Sequence, residues 1–191
     1  MSRERGPRPE GKFITLEGGE GAGKTTQIKL LASALKASGI DPVITREPGG
    51  APGAEVIRSL LVEGSVDRWQ PMTEAILHFA ARLEHVKETI QPALAAGRWV
   101  VSDRFSDSTI AYQGYGHELG GETIARLHPL VLGDFQPDLT LILDIPVEDG
   151  LARAGNREAE NGAGEDRYER MNAEFHHRLR DGFLDIARRN P

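Results

Sequence analysis

The 191-residue chain contains no cysteine, which excludes disulfide stapling and thiolate chemistry. It also lacks a positive balance of charge. Lys and Arg number 23 against 29 Asp and Glu, a net charge of −6. That argues against a general nucleic-acid binder or a protein held on acidic membranes, both of which need a basic surface. No apolar run is long enough to cross a bilayer. Met1 to Gly11 is charged and proline-containing, without the apolar stretch of a signal peptide or anchor. There is no internal repeat and no low-complexity linker. What is present, 39% hydrophobic and 27% charged residues, suits a soluble globular protein of one domain with a substantial core. The expected layout is a disordered N-terminal tail over 1–11 and a single domain over 12–191. The expected location is the cytoplasm.

An acidic protein that binds anions must do so locally, and one stretch is built for it. Gly18-Gly19-Glu20-Gly21-Ala22-Gly23-Lys24-Thr25 is G-x-x-x-x-G-K-[ST], the phosphate-cradling loop. Its flanks fit. Phe13 to Leu16 is a β-prone apolar run, and Ile28, Leu31 and Leu35 recur at helical spacing after Thr26. Strand, glycine loop and helix aim backbone N–H groups and a positive helix end at an anion. Lys24 would reach the β/γ-phosphates and the Thr25 hydroxyl would ligate Mg²⁺. Gly18 to Thr26 form the expected ATP site.

The rest of the chain alternates strands and helices. The first helix should stop at Gly39. Strands are expected at 42–45, 99–102 and 139–143. Helices are expected at 54–63, with Val56, Ile57, Leu60 and Leu61 on the buried side, then from an N-cap at Thr73 to Gly97 with a reorganisation near Pro92. Others are expected over 122–132, from Val147 to Ala154, and from Arg167 to Arg189, with 155–164 as an interruption. This is an α/β pattern, a doubly wound parallel sheet flanked by helices, of the phosphate-loop NTPase type.

A phosphate loop identifies a nucleotide, not a reaction. A GTPase would need Asn-Lys-x-Asp and Asp-x-x-Gly, and neither occurs. A motor or transporter ATPase would need more chain. A small kinase remains, beside the alternative of a non-catalytic nucleotide-binding module. A kinase needs a second phosphate pocket facing the first. Arg46 and Arg104 lie at or just beyond strand ends and Arg58 on the helix that follows, where open α/β sheets bind ligands, and guanidinium forks suit phosphate oxygens. Asp103, beside Arg104, is placed to hold Mg²⁺ or its water. No general base is needed when the acceptor is itself a phosphate. Arg153, Arg157 and Arg167 flank the interruption, so a closing lid is expected over about 153–167.

These blocks together resemble bacterial thymidylate kinases, from about Phe13 to about Ala187. They are Glu17 to Thr26, Thr45-Arg46-Glu47-Pro48-Gly49-Gly50, Phe79-Ala80-Ala81-Arg82, Ser102-Asp103-Arg104-Phe105, Ala111-Tyr112-Gln113-Gly114, Pro137 to Leu141, and Asp166-Arg167. The resemblance implies transfer of the ATP γ-phosphate to dTMP, with Mg²⁺, by a homodimer; another nucleoside-monophosphate kinase on the same scaffold is the alternative. It implies that Glu20 contacts the deoxyribose 3′-hydroxyl and that Arg46, Arg58 and Arg104 hold the dTMP phosphate. It further implies that Arg82, Thr109 and Gln113 surround the thymine and that Tyr112 occupies the place of a ribose 2′-hydroxyl. Lys24 and Arg104 would assist transfer, as would the lid residues Arg153 and Arg157, since the glycine loop carries no arginine of its own. Two departures are visible. Where the family has an aromatic residue, often Phe, stacking on thymine, this chain has His78, with Phe79 beside it. The family also continues into a final strand, which is missing from this sequence.

Overall fold

The computed structural model describes residues 11–161 and 167–190, the side chains of 157–161 excepted. The expected N-terminal tail therefore lies outside the described residues, apart from Gly11. Four short strands, β1 (Phe13–Glu17), β2 (Val43–Arg46), β3 (Val100–Asp103) and β4 (Leu139–Ile142), form one parallel sheet in the order β2-β3-β1-β4. β1 is buried along its whole length and β3 over its first three residues. Adjacent residues such as Phe13 and Ile14, or Val100 and Val101, are buried together because both faces of the sheet are covered.

Alternation along β1 divides the core. Ile14 and Leu16 face one way and meet Val101 and α1 (Lys24–Ala37) through Ile28, Leu31 and Leu35. Phe13 faces the other way and meets Val86, Ile90, Ala93 and Phe105. α1 stops as expected: Gly39 takes a φ of +82°, and the Ile40 N–H closes back to the Leu35 carbonyl at 2.9 Å.

α2 (Pro52–Val62) packs against α3 (Pro71–His85). Two expectations are corrected in this pair. Val56 is exposed, because Ala54 and Leu61 take the inner face of α2. α3 starts at Pro71 and not at Thr73, since proline is pre-organised for the first helical position and lacks the N–H that would go unpaired there. The expected reorganisation falls just ahead of Pro92, as a π-helical segment (Val86–Ile90) leading into α4 (Gln91–Ala95). A proline cannot donate to the preceding turn, and the wider turn absorbs the defect.

Residues 106–116 escaped the sequence reading. They form α5 (Ser106–Thr109) and a second π-helical segment (Ile110–Gly116), buried among α6 (Gly121–Ala125) and α9 (Ala173–Arg189). A helix enclosed on nearly all sides shows no polar stripe, and its Ser, Thr and Gly content hides it. The helix expected over 122–132 divides at Arg126 into α6 and α7 (Leu127–Leu132), where Pro129 removes a donor from the following turn. α8 (Val147–Asn161) runs on through Gly155, which corrects the interruption expected to begin there; the remaining positions of that stretch, 162–164, lie outside the described residues. α9 is capped by the Asn172 side chain, which accepts from the Phe175 N–H at 2.8 Å. Among the described residues β4 is an edge strand, with Leu139 and Leu141 exposed, and no strand follows α9. No helix among them is long and apolar enough to cross a membrane.

Candidate active site

The carboxyl ends of β1, β2 and β3 open onto one cleft of about 730 Å³. The glycine loop forms one wall. Gly21 adopts a φ of +65°, and a Cβ there would come 2.0 Å from the Gly150 carbonyl oxygen. Only glycine lets the loop pass this close to α8. Gly23 caps α1 with no side-chain partner, leaving the first N–H groups of the helix to an anion. Lys24 Nζ donates to the carbonyls of Gly18 and Gly19 at 3.1 and 2.9 Å. Burial, and then the neighbouring Arg104 charge, push its pKa down to about 8. The Thr25 hydroxyl lies 3.4 Å from Asp103 Oδ2. No group of three or more His, Cys, Asp or Glu able to hold a metal occurs among the described residues. A cation between Thr25 and Asp103 would have to bring phosphate oxygens as its other ligands, and hard oxygen donors of this kind suit Mg²⁺.

The opposite wall is made of arginines, as expected. Arg46, Arg58, Arg82, Arg104 and Arg153 all line the cleft. Arg104 ties the two walls together. Its guanidinium donates to the Gly18 carbonyl at 2.8 Å, to Ser108 Oγ at 3.2 Å and to Glu20 Oε1 at 3.0 Å. Its backbone holds a φ of +71°, an unfavourable conformation for a bulky residue that persists only where the surroundings impose it. Here the Arg104 N–H is bound to the Leu16 carbonyl, and the Arg104 carbonyl accepts from Ser102 Oγ. Glu20 accepts from Tyr112 as well, at 2.5 Å. Burial alone would raise the Glu20 pKa, but the Arg104 and Lys24 charges and the Tyr112 hydroxyl bring it down to about 2. Arg46 pairs with Glu55 at 3.1 Å, and Arg58 donates to the Pro48 carbonyl at 2.6 Å.

Arg82 is almost wholly buried. Its Nε donates to Glu47 Oε2 at 2.7 Å, and its Nη2 donates to the Phe105 carbonyl and Thr109 Oγ1 at 3.0 and 2.7 Å. Glu47 also bonds His85 Nδ1 at 2.9 Å, and His85 Nε2 meets Thr45 Oγ1 at 2.7 Å. His85 thus links the Glu47 carboxylate to the Thr45 hydroxyl at the end of β2. Gln113 gives its amide N–H to Glu74 Oε1 at 2.8 Å. Two buried polar atoms in this wall have no protein partner, Arg82 Nη1 and Gln113 Oε1.

His78 lines the cleft, 2.8 Å from the Tyr168 hydroxyl. Burial pushes its imidazole down to about 4 although the Glu74 charge favours the cation, so the ring is neutral. The structure does not bring Phe79 to the cleft; it packs against Ala75 and Ile124 in the core. Arg153 stands at the cleft, whereas the Arg157 side chain lies outside the described residues. Arg167 is no lid residue. It is fully buried, donating to the carbonyls of Leu61, Ser65 and Val66 and pairing with Glu74.

A family model described as Thymidylate kinase matches residues 16–191. The chain belongs to the thymidylate kinase family. A thymidylate kinase of Caulobacter vibrioides is 56% identical over 182 residues, covering 95% of this chain and 85% of that protein. One from Geobacter sulfurreducens is 50% identical over 182 residues, with the same coverage of the two chains. The crystal structure of the thymidylate kinase from Ehrlichia chaffeensis superposes with a TM-score of 0.75 at 38% identity, covering 96% of this chain and 90% of that one.

Sequence reasoning missed the carboxylates that hold this thymidylate kinase wall in place. Glu17, Glu47 and Glu74 are all buried. Glu17 accepts from the Phe105 N–H and Ser108 Oγ, behind Arg104. The available signal was an acidic residue at the end of an apolar strand or inside an apolar helix face, where a charge is retained only if paired.

Proposed function

We propose that this chain phosphorylates dTMP with ATP, releasing ADP and dTDP. One observation carries the reading: a single cleft has a glycine-and-lysine anion cradle on one wall and an arginine cradle on the other, joined at Arg104. Two anionic substrates can meet there in line, and phosphoryl transfer then rests on positioning and charge neutralisation. The glycine loop and Lys24 bind the ATP phosphates, whose negative charge returns Lys24 fully to its cationic form. Arg46, Arg58 and Arg104 hold the acceptor phosphate. Mg²⁺ would be held by Thr25 and Asp103, and it would neutralise charge on the phosphates of ATP. Arg153, on α8, would add its charge to the reacting phosphates.

The acceptor base is read by the two unpartnered atoms. Arg82 Nη1 is a donor and Gln113 Oε1 an acceptor. Thymine offers the complement, a 4-carbonyl acceptor beside an N3–H donor. Cytosine presents an amino donor and a bare N3, the reverse pattern, and would leave both protein atoms unpaired. His78, neutral, offers its ring to the base. Tyr112, fixed by Glu20, closes the space a ribose 2′-hydroxyl would need.

The reading includes a homodimer. α2 and α3 pack together and leave Val56, Met72 and Ile76 exposed, an apolar surface that a second copy would cover. It places the chain in the cytoplasm, where both nucleotides are at hand. Parallel ADP-release assays with dTMP, dUMP, dCMP and AMP test the activity. Preference for a purine or cytidine acceptor refutes it, and ATP binding without dTMP-dependent turnover leaves only a nucleotide-binding module. Sedimentation of the pure protein tests the dimer.

A further inference from the structure

Gln113 sits in the middle of an enclosed helical segment, fully buried, and an amide in that position can face either way round. Its orientation decides what the cleft presents: an oxygen that accepts or an NH₂ that donates. Glu74 of α3 removes the choice. This carboxylate is itself fully buried; Gln113 Nε2 donates to its Oε1 at 2.8 Å, His117 Nε2 lies 3.2 Å from the same oxygen, and Arg167 pairs with Oε2. Burial alone would keep it protonated, but the His117 side-chain contact and the Arg167 charge hold its pKa down to about 2. An ionised carboxylate only accepts, so the Gln113 NH₂ must turn toward it. The amide oxygen is left buried without a protein partner, in a residue that lines the cleft. Buried acceptors without partners are rare and point to a ligand donor.

We propose that Glu74 is a specificity-determining positioning residue. By locking the Gln113 amide with its oxygen toward the cleft, it makes the pocket accept a pyrimidine carrying N3–H and refuse one whose N3 is bare. The inference rests on the dTMP reading above. It adds that the choice of base is made one residue behind the contact, by a carboxylate that touches no substrate. Glu74 also binds Arg167, which clamps the loop after α2, so the lock is anchored to the frame of the molecule and does not depend on the ligand.

The test compares kcat/KM for dTMP and dCMP in the wild type, Glu74→Gln and Glu74→Asp. A glutamine at 74 can accept or donate, so it frees Gln113 to rotate. Glu74→Gln should lower the dTMP:dCMP ratio by at least about tenfold, through KM for dTMP more than through kcat. Glu74→Asp keeps an ionised acceptor and should retain most of the ratio. A folded Glu74→Gln protein whose ratio stays within about twofold of the wild type overturns the proposal. Because loss of a charge beside Arg167 can unfold the chain, a second measurement uses the wild type itself. Proton NMR of the dTMP complex should show a protected thymine N3–H resonance, together with Gln113 side-chain NH₂ protons that exchange slowly with and without dTMP. Saturation with dTMP and no such imino resonance overturns the proposal as well. A wild type that turns over AMP or dCMP in preference to dTMP overturns the underlying reading instead.

Discussion

The two walls of the cleft are built on different physics. The phosphate-loop wall comes from eight consecutive residues, and its ligand groups are chiefly backbone: glycines in left-handed conformations, an uncapped helix start and one lysine. The arginine wall draws on β2, α2, α3, the turn after β3 and the second π-helical segment, and its ligand groups are side chains. Backbone needs no second layer to aim it. Long side chains do, and each one here is held from behind: Arg82 by Glu47, Gln113 by Glu74, Arg104 by Glu20, and the turn carrying Arg104 by Glu17. The comparison teaches that an acidic protein can build a cationic pocket by spending its carboxylates inside, where each one orients a guanidinium or an amide instead of merely cancelling it.

The sharpest break in that comparison is Lys24→Met. It removes the one cationic side chain of the first wall and should lower kcat by about 10³-fold, with dTMP binding by calorimetry left intact. Next is Glu47→Ala, which strips the second wall of its support. It leaves the Arg82 charge buried and unpaired, and should cost about 3 kcal/mol of stability in urea denaturation, while binding of an ATP analogue to the remaining folded protein is retained. Arg104→Ala strikes the point where the walls meet. It should raise KM for dTMP and lower kcat, about 10²-fold in kcat/KM; if both constants stayed within about twofold, Arg104 would not hold the acceptor phosphate.

The smallest effect is on pH dependence. Burial, with the nearby Asp107 charge, raises the Glu17 pKa from 4.5 to about 8, so the folded chain keeps a proton that the unfolded chain has released. Stability from this group is therefore full below the unfolded value and is lost as pH rises toward 8, by at most about 1.4 kcal/mol per pH unit. Glu17→Gln should flatten that fall in denaturation midpoints measured between about pH 5 and pH 8. An unchanged slope would assign it to another group.

Legibility follows the same division. Gly18 to Thr25, the strands around them and the stop at Gly39 were readable because the conformation needed at each position limits the residues allowed there, and neighbours in sequence are neighbours in space. Arg46 and Arg104 could be placed near the site from their positions at strand ends, and Arg58 from its place on the helix after β2. The buried helix at 106–116 could not be read, because enclosure erases the polar face that periodicity detects. Arg167 was misplaced for a related reason: beside a glycine-rich stretch it looks like a lid residue, yet its donors are taken by the Leu61 carbonyl at the end of α2, by the Ser65 and Val66 carbonyls of the loop after it, and by Glu74. Whether His78 or Phe79 reaches the cleft depended on the rotation of α3, which the packing of Ala75 and Phe79 on Ile124 sets.

Composition and motif by themselves determined a cysteine-free α/β domain with a phosphate loop, and a set of blocks that belong to the thymidylate kinase family. Local geometry carries that much, since a glycine loop and an apolar strand encode their own shape. Only the tertiary structure decided which arginines line the cleft and which ones brace, and which atoms of Arg82 and Gln113 remain unpaired. Those outcomes depend on carboxylates 35 to 39 residues away in the chain. A hydrogen bond between groups so far apart in sequence exists only once the core has brought them together.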